Sequence, residues 1–494
     1  MTATGFGMLA TAAAVAASLL AALVGARTIR VAQHAGLGAQ LAVGFACWSI
    51  WVFTLVGPFG LPMSSWSSGH GSAPWLAALA FLVALWLTRA RALRVSADRR
   101  PLYIVMVADS LPPKVDGVTM CILRMVPALS RRNTLVVASG HPTMFDAAVS
   151  IRLPSLEAHQ YPGHRIAFPV HPALWLAIAV ADVVVLVDET PLSILTLPLA
   201  ALSGARIVWT HHTHGESYPH IAPFLWRAGV WPACVRVLRA LLAPLADAHP
   251  AVSPHLVAAL SPHCNARLWP AGVDVALLPP ETAAGRYAAA AAAAATRARW
   301  IARWQQQDTA QAAFHADVSD APVRVLLCVA RMGPEKNWDD VLLVARALRN
   351  TTRVRTLLVF AGDGPEAARI ASAVVGLPVL FLGGITDRGV LAAAYGAADA
   401  FLLPSLSEAM PLVGLEAQAA GLPLYVQDES LRAQWLLEGA VVRPWSAIVA
   451  DVWSGGVPAK YPPIMRTWAK AANVLECACL GDAEFAAATE HADE

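Results

Sequence analysis

Two cations stand in a loop after a predicted strand in the C-terminal half of the chain. Arg331 and Lys336 belong to the run RMGPEKN, which begins where the apolar run VRVLLCVA ends. Asn337 fits the N-cap of the next helix, with Asp339 and Asp340 in its first turn. Two cations beside a helix N-terminus form a natural site for an anion such as a diphosphate. Ordinary surface charges at a strand-to-helix loop are the alternative interpretation.

Two carboxylates follow a later strand, ADAFLLP. Glu408 and Glu416 lie in the run SLSEAMPLVGLE, where Pro411 suits the first turn of a helix. This places Glu408 on the loop and Glu416 inside the helix, at the same sheet edge as Arg331 and Lys336. Carboxylates directed into a cleft accept hydrogen bonds from the vicinal hydroxyls of a sugar or ribose, which reduces the cost of burying them. A capping glutamate and a solvated helix glutamate are the alternative.

Gly362 and Gly364 lie in the run GDGP after another strand. A tight turn with glycines at positive φ, followed by a proline that starts a helix, is one interpretation of this loop, and a place among the donor-binding residues is the other. A different loop, THHTHGE, follows the strand RIVW and contains His212 in a histidine cluster. The histidine spacing does not match a helical zinc site, so we expect no metal there. A cleft histidine that bonds substrate hydroxyls or a developing charge is one interpretation, and a satisfied or solvated histidine is the other.

Alternating strands and helices must position these loops. Short apolar, β-branched runs recur from Leu102 on, namely LYIVMVA, TLVVA, DVVVLV and RIVW, and helical periodicity lies between them. The alternation restarts at VRVLLCVA and continues through TLLVFAG, PVLFLG, ADAFLLP and LPLYV. This pattern predicts two α/β domains with doubly wound parallel sheets and a cleft between them. We expect the first domain at residues 101–280, the second at 322–445 and a helical tail at 446–494.

Residues 281–321 separate the two predicted domains. They contain eight consecutive alanines, Ala288–Ala295. Such low-complexity sequence has strong helix propensity but specifies little packing. We interpret it as an exposed inserted helix or a mobile linker and assign it no chemistry.

The first 95 residues have the composition of a membrane region. No acidic residue precedes Asp98, and apolar runs cover approximately residues 8–26, 37–57 and 73–88. A bilayer core of about 30 Å needs about 20 apolar residues in a helix, so we expect up to three spanning helices. Arginines follow the first and third runs, which places the folded domains on the cytosol-like side. A cleaved targeting peptide is the alternative for the first run.

The overall composition excludes some classes of function. The 494 residues include 36 Lys+Arg and 34 Asp+Glu, so the charge balance does not indicate a nucleic-acid partner, which requires a concentrated basic surface. The hydrophobic fraction of 57% exceeds the roughly 45–50% of typical soluble proteins. Seven scattered cysteines do not form a disulfide framework, and the pair Cys477 and Cys479 lacks a second pair for a zinc site.

The ordered motifs resemble a known family. VARMGPEKN, FAGDGP, VLFLGG and the long run from LAAAYGAADAFLLP to GLPL are similar to the donor domain of the family 4 retaining glycosyltransferases, which have the GT-B fold. The spacing Glu408-x7-Glu416 is that family's hallmark. In the first half, VADSLPPKVDGV, YPGHRIAFP, WTHHTHGESYPHI and RLWPAGVD resemble the sulfoquinovosyl diacylglycerol synthase branch and related mannosyltransferases. The resemblance covers approximately residues 101–426.

The resemblance implies roles for particular residues. Arg331 and Lys336 would hold the diphosphate of a nucleotide-sugar donor in place of a metal ion, so no cofactor is expected. Glu416 would bind the ribose, and Glu408 and His212 would contact the transferred sugar. Gly117 would let the first loop approach the phosphate or the acceptor. The implied reaction retains the anomeric configuration, with cationic stabilisation of the leaving diphosphate.

The implied acceptor is a membrane lipid. Sulfoquinovose transfer to diacylglycerol is the first expectation, and hexose or mannose transfer to another acceptor is the second. A plastid membrane would fit the first, and the endoplasmic reticulum or another endomembrane would fit the second. The sequence departs from the family pattern in three places: Ala330 and Pro411 replace glycines, and QDES follows Val426 where a Gly-Gly pair is expected. A catalytically silent GT-B membrane protein is therefore a third possibility.

Overall fold

The computed structural model describes most of the chain from Pro101 to Gly481. Within that range it omits residues 115, 143–144, 158–163, 214, 216–229, 270, 275–276, 278–279, 281, 308–322, 334–335, 350–354, 407, 428–440, 455 and 461–466, and it also describes residues 487–488. In these described residues, no helix has both the length and the apolar character needed to cross a bilayer. The predicted membrane helices fall in residues 1–95, outside the described part.

The described residues form two compact units. The first contains the residues up to Ala251, residues 256–269 and the residues from Ala472 on. Its strands are β1 (Tyr103–Val107), β2 (Thr134–Ser139), β3 (Val149–Arg152), β4 (Ser155–Glu157), β5 (Arg165–Ala167), β6 (Val183–Val187), β7 (Arg206–Thr210), β8 (His249–Ala251) and β9 (Ala266–Leu268). Five of them form a parallel sheet in the order β3-β2-β1-β6-β7. The strands predicted from LYIVMVA, TLVVA, DVVVLV and RIVW are confirmed.

Helices connect the strands of the first unit. They are α1 (Gly117–Leu129), α2 (Pro172–Val180), α3 (Pro191–Ser203), α4 (Val230–Leu242) and α5 (Pro254–Leu260). Local sequence explains where they start: the Asp116 side chain caps α1, and Thr190 caps α3 with Pro191 at its first position. The strand order reverses between β1 and β6, which is where open α/β sheets bind ligands.

The second unit contains residues 252–255 and 270–471. Its strands are β10 (Val323–Val329), β11 (Arg355–Ala361), β12 (Val379–Gly383), β13 (Ala400–Leu403), β14 (Leu424–Val426) and β15 (Val442–Pro444). They form one parallel sheet in the order β12-β11-β10-β13-β14-β15. Val325 and Leu327 of β10 belong to one core, whereas Leu326 and Cys328 belong to another. Both faces are therefore covered, as predicted for a doubly wound sheet.

The remaining helices follow in chain order. They are α6 (Ala283–Gln307), α7 (Trp338–Arg349), α8 (Ala367–Ala373), α9 (Arg388–Ala397), α10 (Leu412–Ala419), α11 (Ile448–Trp453) and α12 (Trp468–Leu480). The second sheet reverses its order between β10 and β13. The loops after these two strands carry Lys336 and Glu408, so the predicted site residues lie at the switch point.

Helix α6 carries the alanine run. Its alanines are mostly exposed, but Trp300 and Trp304 near its C-terminal end are buried in a core of the second unit. Arg297 donates to the Ala397 carbonyl at 2.7 Å and to the Asp399 carboxylate at 2.9 Å. The segment is therefore an anchored helix over this range, which its alanine content alone did not indicate.

Candidate active site

Lys336 and Glu408 meet at the switch point of the second sheet. Lys336 follows β10 and Glu408 follows β13, and the Lys336 ammonium donates to a Glu408 carboxylate oxygen. Their side chains are 21% and 12% exposed, so the ion pair is well shielded from water. Neighbouring parallel strands bring the two loops together. At one sheet edge, the cation can bind a phosphate group while the carboxylate accepts a hydrogen bond from a hydroxyl.

The glycine loop after β11 packs against the loop that carries Arg331. The Met332 N–H donates to the Asp363 carbonyl at 2.8 Å, and the Glu366 N–H donates to the Met332 carbonyl at 2.9 Å. A Cβ atom on Gly362 would lie 1.9 Å from the Ala330 carbonyl oxygen, and one on Gly364 would lie 2.6 Å from that of Met332. The glycines are required because two backbone segments approach each other closely.

Replacement of Gly362 by alanine should therefore move the loop that carries Arg331. We expect Gly362→Ala to lower the free energy of unfolding by about 2 kcal/mol, because the new methyl group collides with backbone. Gly384→Ala is the control: its Cβ would contact only Asp363, at an ordinary 3.6 Å, and we expect a change within about 0.5 kcal/mol. Urea unfolding of both variants measures the difference, and equal effects would contradict the role of close approach.

Arg331 and Asn337 flank the start of α7. Arg331 is half-buried at the end of β10, and its carbonyl oxygen accepts from the Trp338 indole at 3.4 Å. Asn337 directly precedes the helix, in the predicted cap position, with a left-handed backbone at φ 49°. Its side-chain amide donates to Asp340 at 2.7 Å. Asn tolerates this conformation better than most residues, which suits a sharp turn between the cations and the helix.

Glu416 lies inside α10, as predicted, and is held by two side chains. The Tyr395 hydroxyl donates to it at 2.7 Å, and the Arg388 guanidinium lies 3.4 Å away. Arg388 also reaches Asp274 at 3.6 Å. Burial raises the pKa of Glu416 above its usual value, although Tyr395 and Arg388 favour the charged form. Pro411 stands just before α10 rather than in its first turn, and its carbonyl accepts from the Gly414 N–H.

His212 lies in the first unit, directly after β7. Its Nε2 atom is 3.1 Å from the Thr210 hydroxyl, and its ring meets Trp269 edge-on with centroids 5.2 Å apart. The backbone N–H of His212 donates to Asp188 at 3.4 Å. Burial lowers the pKa of His212 below its usual value, so the imidazole is neutral near pH 7.

Asp188 and Glu189 follow β6 and were not identified from the sequence. Asp188 is buried with a left-handed backbone at φ 61°, and it accepts from the Thr213 hydroxyl. Glu189 receives two N–H groups of Arg239, at 2.7 and 3.1 Å. Burial alone would raise the pKa of Glu189, but His211 and Arg239 together hold it at about 2. The signal was available: both acids directly follow the strand DVVVLV.

Gly117 is the exposed first residue of α1, beside a second polar cluster after β1. Lys114 bonds Asp116 at 2.7 Å and His164 at 3.3 Å. Asp109 is buried at the end of β1 and accepts from the backbone N–H groups of Ala167 at 3.2 Å and of Leu192 at 3.3 Å. This carboxylate ties three segments of the first unit together, and sequence reasoning did not identify it.

The buried carboxyl of Asp109 makes a pH-dependent contribution to stability. Burial raises its pKa from 3.8 to about 6, so the folded protein binds this proton more tightly than the unfolded chain. Stability is therefore lost as pH rises through that window, by up to about 3 kcal/mol. Asp109→Asn keeps an oxygen acceptor but does not ionise. As pH rises from 4 to 7, we expect the free energy of unfolding of Asp109→Asn, measured with urea, to increase relative to that of wild type. A difference between the two proteins that stays constant with pH would contradict this.

The structure thus places the sequence-predicted residues in both units. Gly117 and His212 lie in the first, whereas Arg331, Lys336, Gly362, Gly364, Glu408 and Glu416 lie in the second. Of these, Lys336 and Glu408 are in direct contact. Across the described ranges, no group of three or more His, Cys, Asp or Glu residues is arranged to hold a metal ion.

Two family models match the chain. Residues 115–277 match Glycosyltransferase Family 4, and residues 312–435 match Glycosyl transferases group 1. The first match contains strands β2 to β9, and the second contains strands β10 to β14.

Curated relatives match over shorter segments. Sulfoquinovosyl transferase SQD2 of Arabidopsis thaliana is 26% identical over 229 residues, which are 46% of this chain and 39% of that protein. A GDP-mannose-dependent alpha-(1-6)-phosphatidylinositol dimannoside mannosyltransferase of Mycobacterium tuberculosis is 36% identical over 110 residues, 22% of this chain and 29% of that protein. The chain thus matches less than half the length of either relative.

Among solved structures, Anabaena HepE in complex with UDP-glucose has a similar fold. It is 14% identical, and the alignment covers 78% of this chain and 98% of that chain with a TM-score of 0.50. At this identity the similarity concerns the fold alone.

Proposed function

This chain belongs to the glycosyltransferases that join a Family 4 domain to a group 1 domain, and we propose that it moves a sugar from a nucleotide donor to a membrane lipid with retention of configuration. The observation that carries this proposal is the contact between Lys336 and Glu408 at the switch point of the second sheet. The pair supplies a cation for the diphosphate and a carboxylate for the hydroxyls of the sugar.

We assign the donor contacts from the charge and position of each residue. Lys336 and Arg331 neutralise the diphosphate, which leaves as an anion when the glycosidic bond breaks. Glu408 exchanges its contact with Lys336 for sugar hydroxyls when donor binds. Glu416 accepts from the ribose hydroxyls, and its existing donor Tyr395 keeps the carboxylate in place. Because the cations take the place of a divalent ion, the proposed reaction needs no metal cofactor.

The close packing of the glycine loop supports the same assignment. Gly362 and Gly364 keep the loop of Arg331 within hydrogen-bonding distance of the neighbouring strand end. A side chain at either glycine would displace the neighbouring loop and move Arg331 and Lys336 away from the diphosphate. On the first unit, His212 contacts the transferred sugar, and Gly117 leaves space for phosphate or acceptor at the start of α1.

The acceptor assignment rests on the apolar N-terminus and on the relatives. We propose that residues 1–95 anchor the enzyme in a membrane, with the two units on the cytosol-like side. The first candidate reaction is sulfoquinovose transfer to diacylglycerol, which is supported by the similarity to a sulfoquinovosyl transferase. Hexose or mannose transfer to another lipid is the second candidate, supported by the phosphatidylinositol dimannoside mannosyltransferase.

A silent binding protein with the same fold is the alternative from another class. Pro411 motivates it, because proline removes a backbone N–H just before α10. Two features argue against this alternative: the shielded ion pair of Lys336 and Glu408, and Glu416 with its bond from Tyr395. Burying charged groups is costly, and a protein without catalytic activity does not need them.

The purified full chain in lipid vesicles tests the proposal. A panel of nucleotide sugars is first screened by thermal shift, because a bound donor raises the apparent stability. Donor turnover is then followed with EDTA present, using vesicles with and without diacylglycerol. Product formation without metal would support a transferase. Donor binding without turnover of any nucleotide sugar would favour the silent alternative.

A further inference from the structure

His211 and His249 form a buried hydrogen-bonded pair beside the loop of His212. Their side chains are 1% and 3% exposed, and His211 Nε2 lies 3.1 Å from His249 Nδ1. The outer nitrogens also have partners. His249 Nε2 is 3.0 Å from the Ala243 carbonyl oxygen, and His211 Nδ1 is 3.2 Å from Glu189 Oε1.

The hydrogen-bond pattern fixes how many protons this pair holds. The Ala243 carbonyl only accepts, so His249 Nε2 must carry a hydrogen. Glu189 is an ionised acceptor that also receives two N–H groups of Arg239, so His211 Nδ1 must carry one too. The two facing nitrogens need one hydrogen between them. Three hydrogens on four ring nitrogens exceed by one the two that a neutral pair carries, so the pair is a monocation.

The excess proton lies mainly on His211. Burial lowers the pKa of His249 to about 3, and the charge of His211 acts in the same direction. Glu189 faces His211 directly and stabilises its charge. The network Arg239–Glu189–His211 therefore carries one net positive charge inside the first unit.

This charge lies next to His212 in the chain. The Thr210 hydroxyl donates to the Leu186 carbonyl at 3.3 Å, so it accepts from His212 Nε2 at 3.1 Å. A neutral His212 then has an unprotonated Nδ1. The charged groups that act on His212 are Asp188 and Asp116, which favour its protonation, and His211, which opposes it.

We propose that the proton shared by His211 and His249 is a fixed positive charge that adds to burial in opposing protonation of His212, so that His212 Nδ1 accepts a hydrogen bond from a hydroxyl of the transferred sugar. This inference rests on the proposed function, in which His212 contacts that sugar. His211 and His249 are positioning residues, since neither touches the substrate.

Two substitutions at His249 separate this role from a structural one. A glutamine can donate to the Ala243 carbonyl and accept from His211 Nε2, so His249→Gln keeps the cation. Leucine accepts nothing, so in His249→Leu the His211 Nε2 hydrogen has no acceptor and His211 becomes neutral. We expect the acid limb of the pH profile of kcat/KM to move up by about 0.5–1 pH unit in His249→Leu. In His249→Gln the limb should stay at the wild-type pH.

The profiles are measured on the full chain in vesicles, with the donor identified by the nucleotide-sugar panel. If the acid limb lies at the same pH in both variants and in wild type, the inference is overturned, while the proposed function stays intact. Absence of turnover in wild type would instead reject the proposed function. If His249→Leu does not fold, His211→Gln removes the same charge and should show the same upward shift. His263→Gln, a half-buried histidine outside this network, is the matched control and should leave the limb unchanged.

Discussion

Replacing Lys336 with alanine is expected to lower donor turnover by about two orders of magnitude. Lys336 is a cation at the switch point of the second sheet, where, in the proposed reaction, the departing diphosphate develops negative charge. Loss of one preorganised contact to a charge that grows in the transition state typically costs a factor of 10²–10³. The effect should appear in kcat and in kcat/KM, because the contact strengthens as the bond breaks.

The partner Glu408 provides a second arm of the same experiment. Glu408→Ala removes the proposed sugar contact and also leaves Lys336 without its carboxylate, so we expect a comparable loss of turnover. Arg303→Ala is the control, because Arg303 is an exposed cation on α6 of the same unit. Steady-state kinetics of the three variants measures the effect. Wild-type rates in both Lys336→Ala and Glu408→Ala would overturn the site assignment.

The largest expected effect on stability comes from Arg239. Its side chain is 3% exposed and forms two hydrogen bonds to Glu189, whose carboxylate is 12% exposed. Arg239→Met should lower the free energy of unfolding by about 3–5 kcal/mol, because breaking the buried ion pair removes two charge-assisted hydrogen bonds from the Glu189 carboxylate. Urea unfolding monitored by fluorescence measures this change.

A matched control lies on the same helix. Arg236 is exposed on α4, and Arg236→Met should change stability by less than about 0.5 kcal/mol. The pH dependence adds a further check. The pKa of Glu189 is about 2, compared with an ordinary 4.5, so its ion pair contributes fully above pH 4.5 and less as pH falls toward 2. The deficit of Arg239→Met should shrink in that window, and equal effects of the two substitutions would contradict the account.

Much of the fold could be predicted because its signals are local. Several buried strands read as short runs rich in β-branched residues, as in the five residues of β6, and helical periodicity follows many of them. The sequence predicted Lys336 and Glu408 at one sheet edge, because loops after parallel strands share an edge, and the structure adds their direct contact. The same rule, applied to the acids after β1 and β6, would also have found Asp109, Asp188 and Glu189.

The remaining features depend on contacts between distant parts of the chain. Glu416 is held by Arg388, which also pairs with Asp274, and no local pattern links these positions. In the sequence, His211 is one of several histidines in a loop. The fold places it against His249 and Glu189, and it places Arg239 against Glu189. Trp300 and Trp304 anchor a helix whose alanines suggested an exposed helix or a mobile linker. In all three cases, tertiary packing and not the local sequence determines the contacts of these residues.

Binding of a nucleoside diphosphate to the full chain in EDTA tests the central claim most directly. Calorimetry should show that wild type binds the diphosphate without a metal ion and binds the corresponding monophosphate much more weakly. Lys336→Ala should lose at least about tenfold in affinity for the diphosphate, which corresponds to one charge-assisted hydrogen bond. Binding that requires a divalent ion, or that is unchanged in Lys336→Ala, would contradict the account.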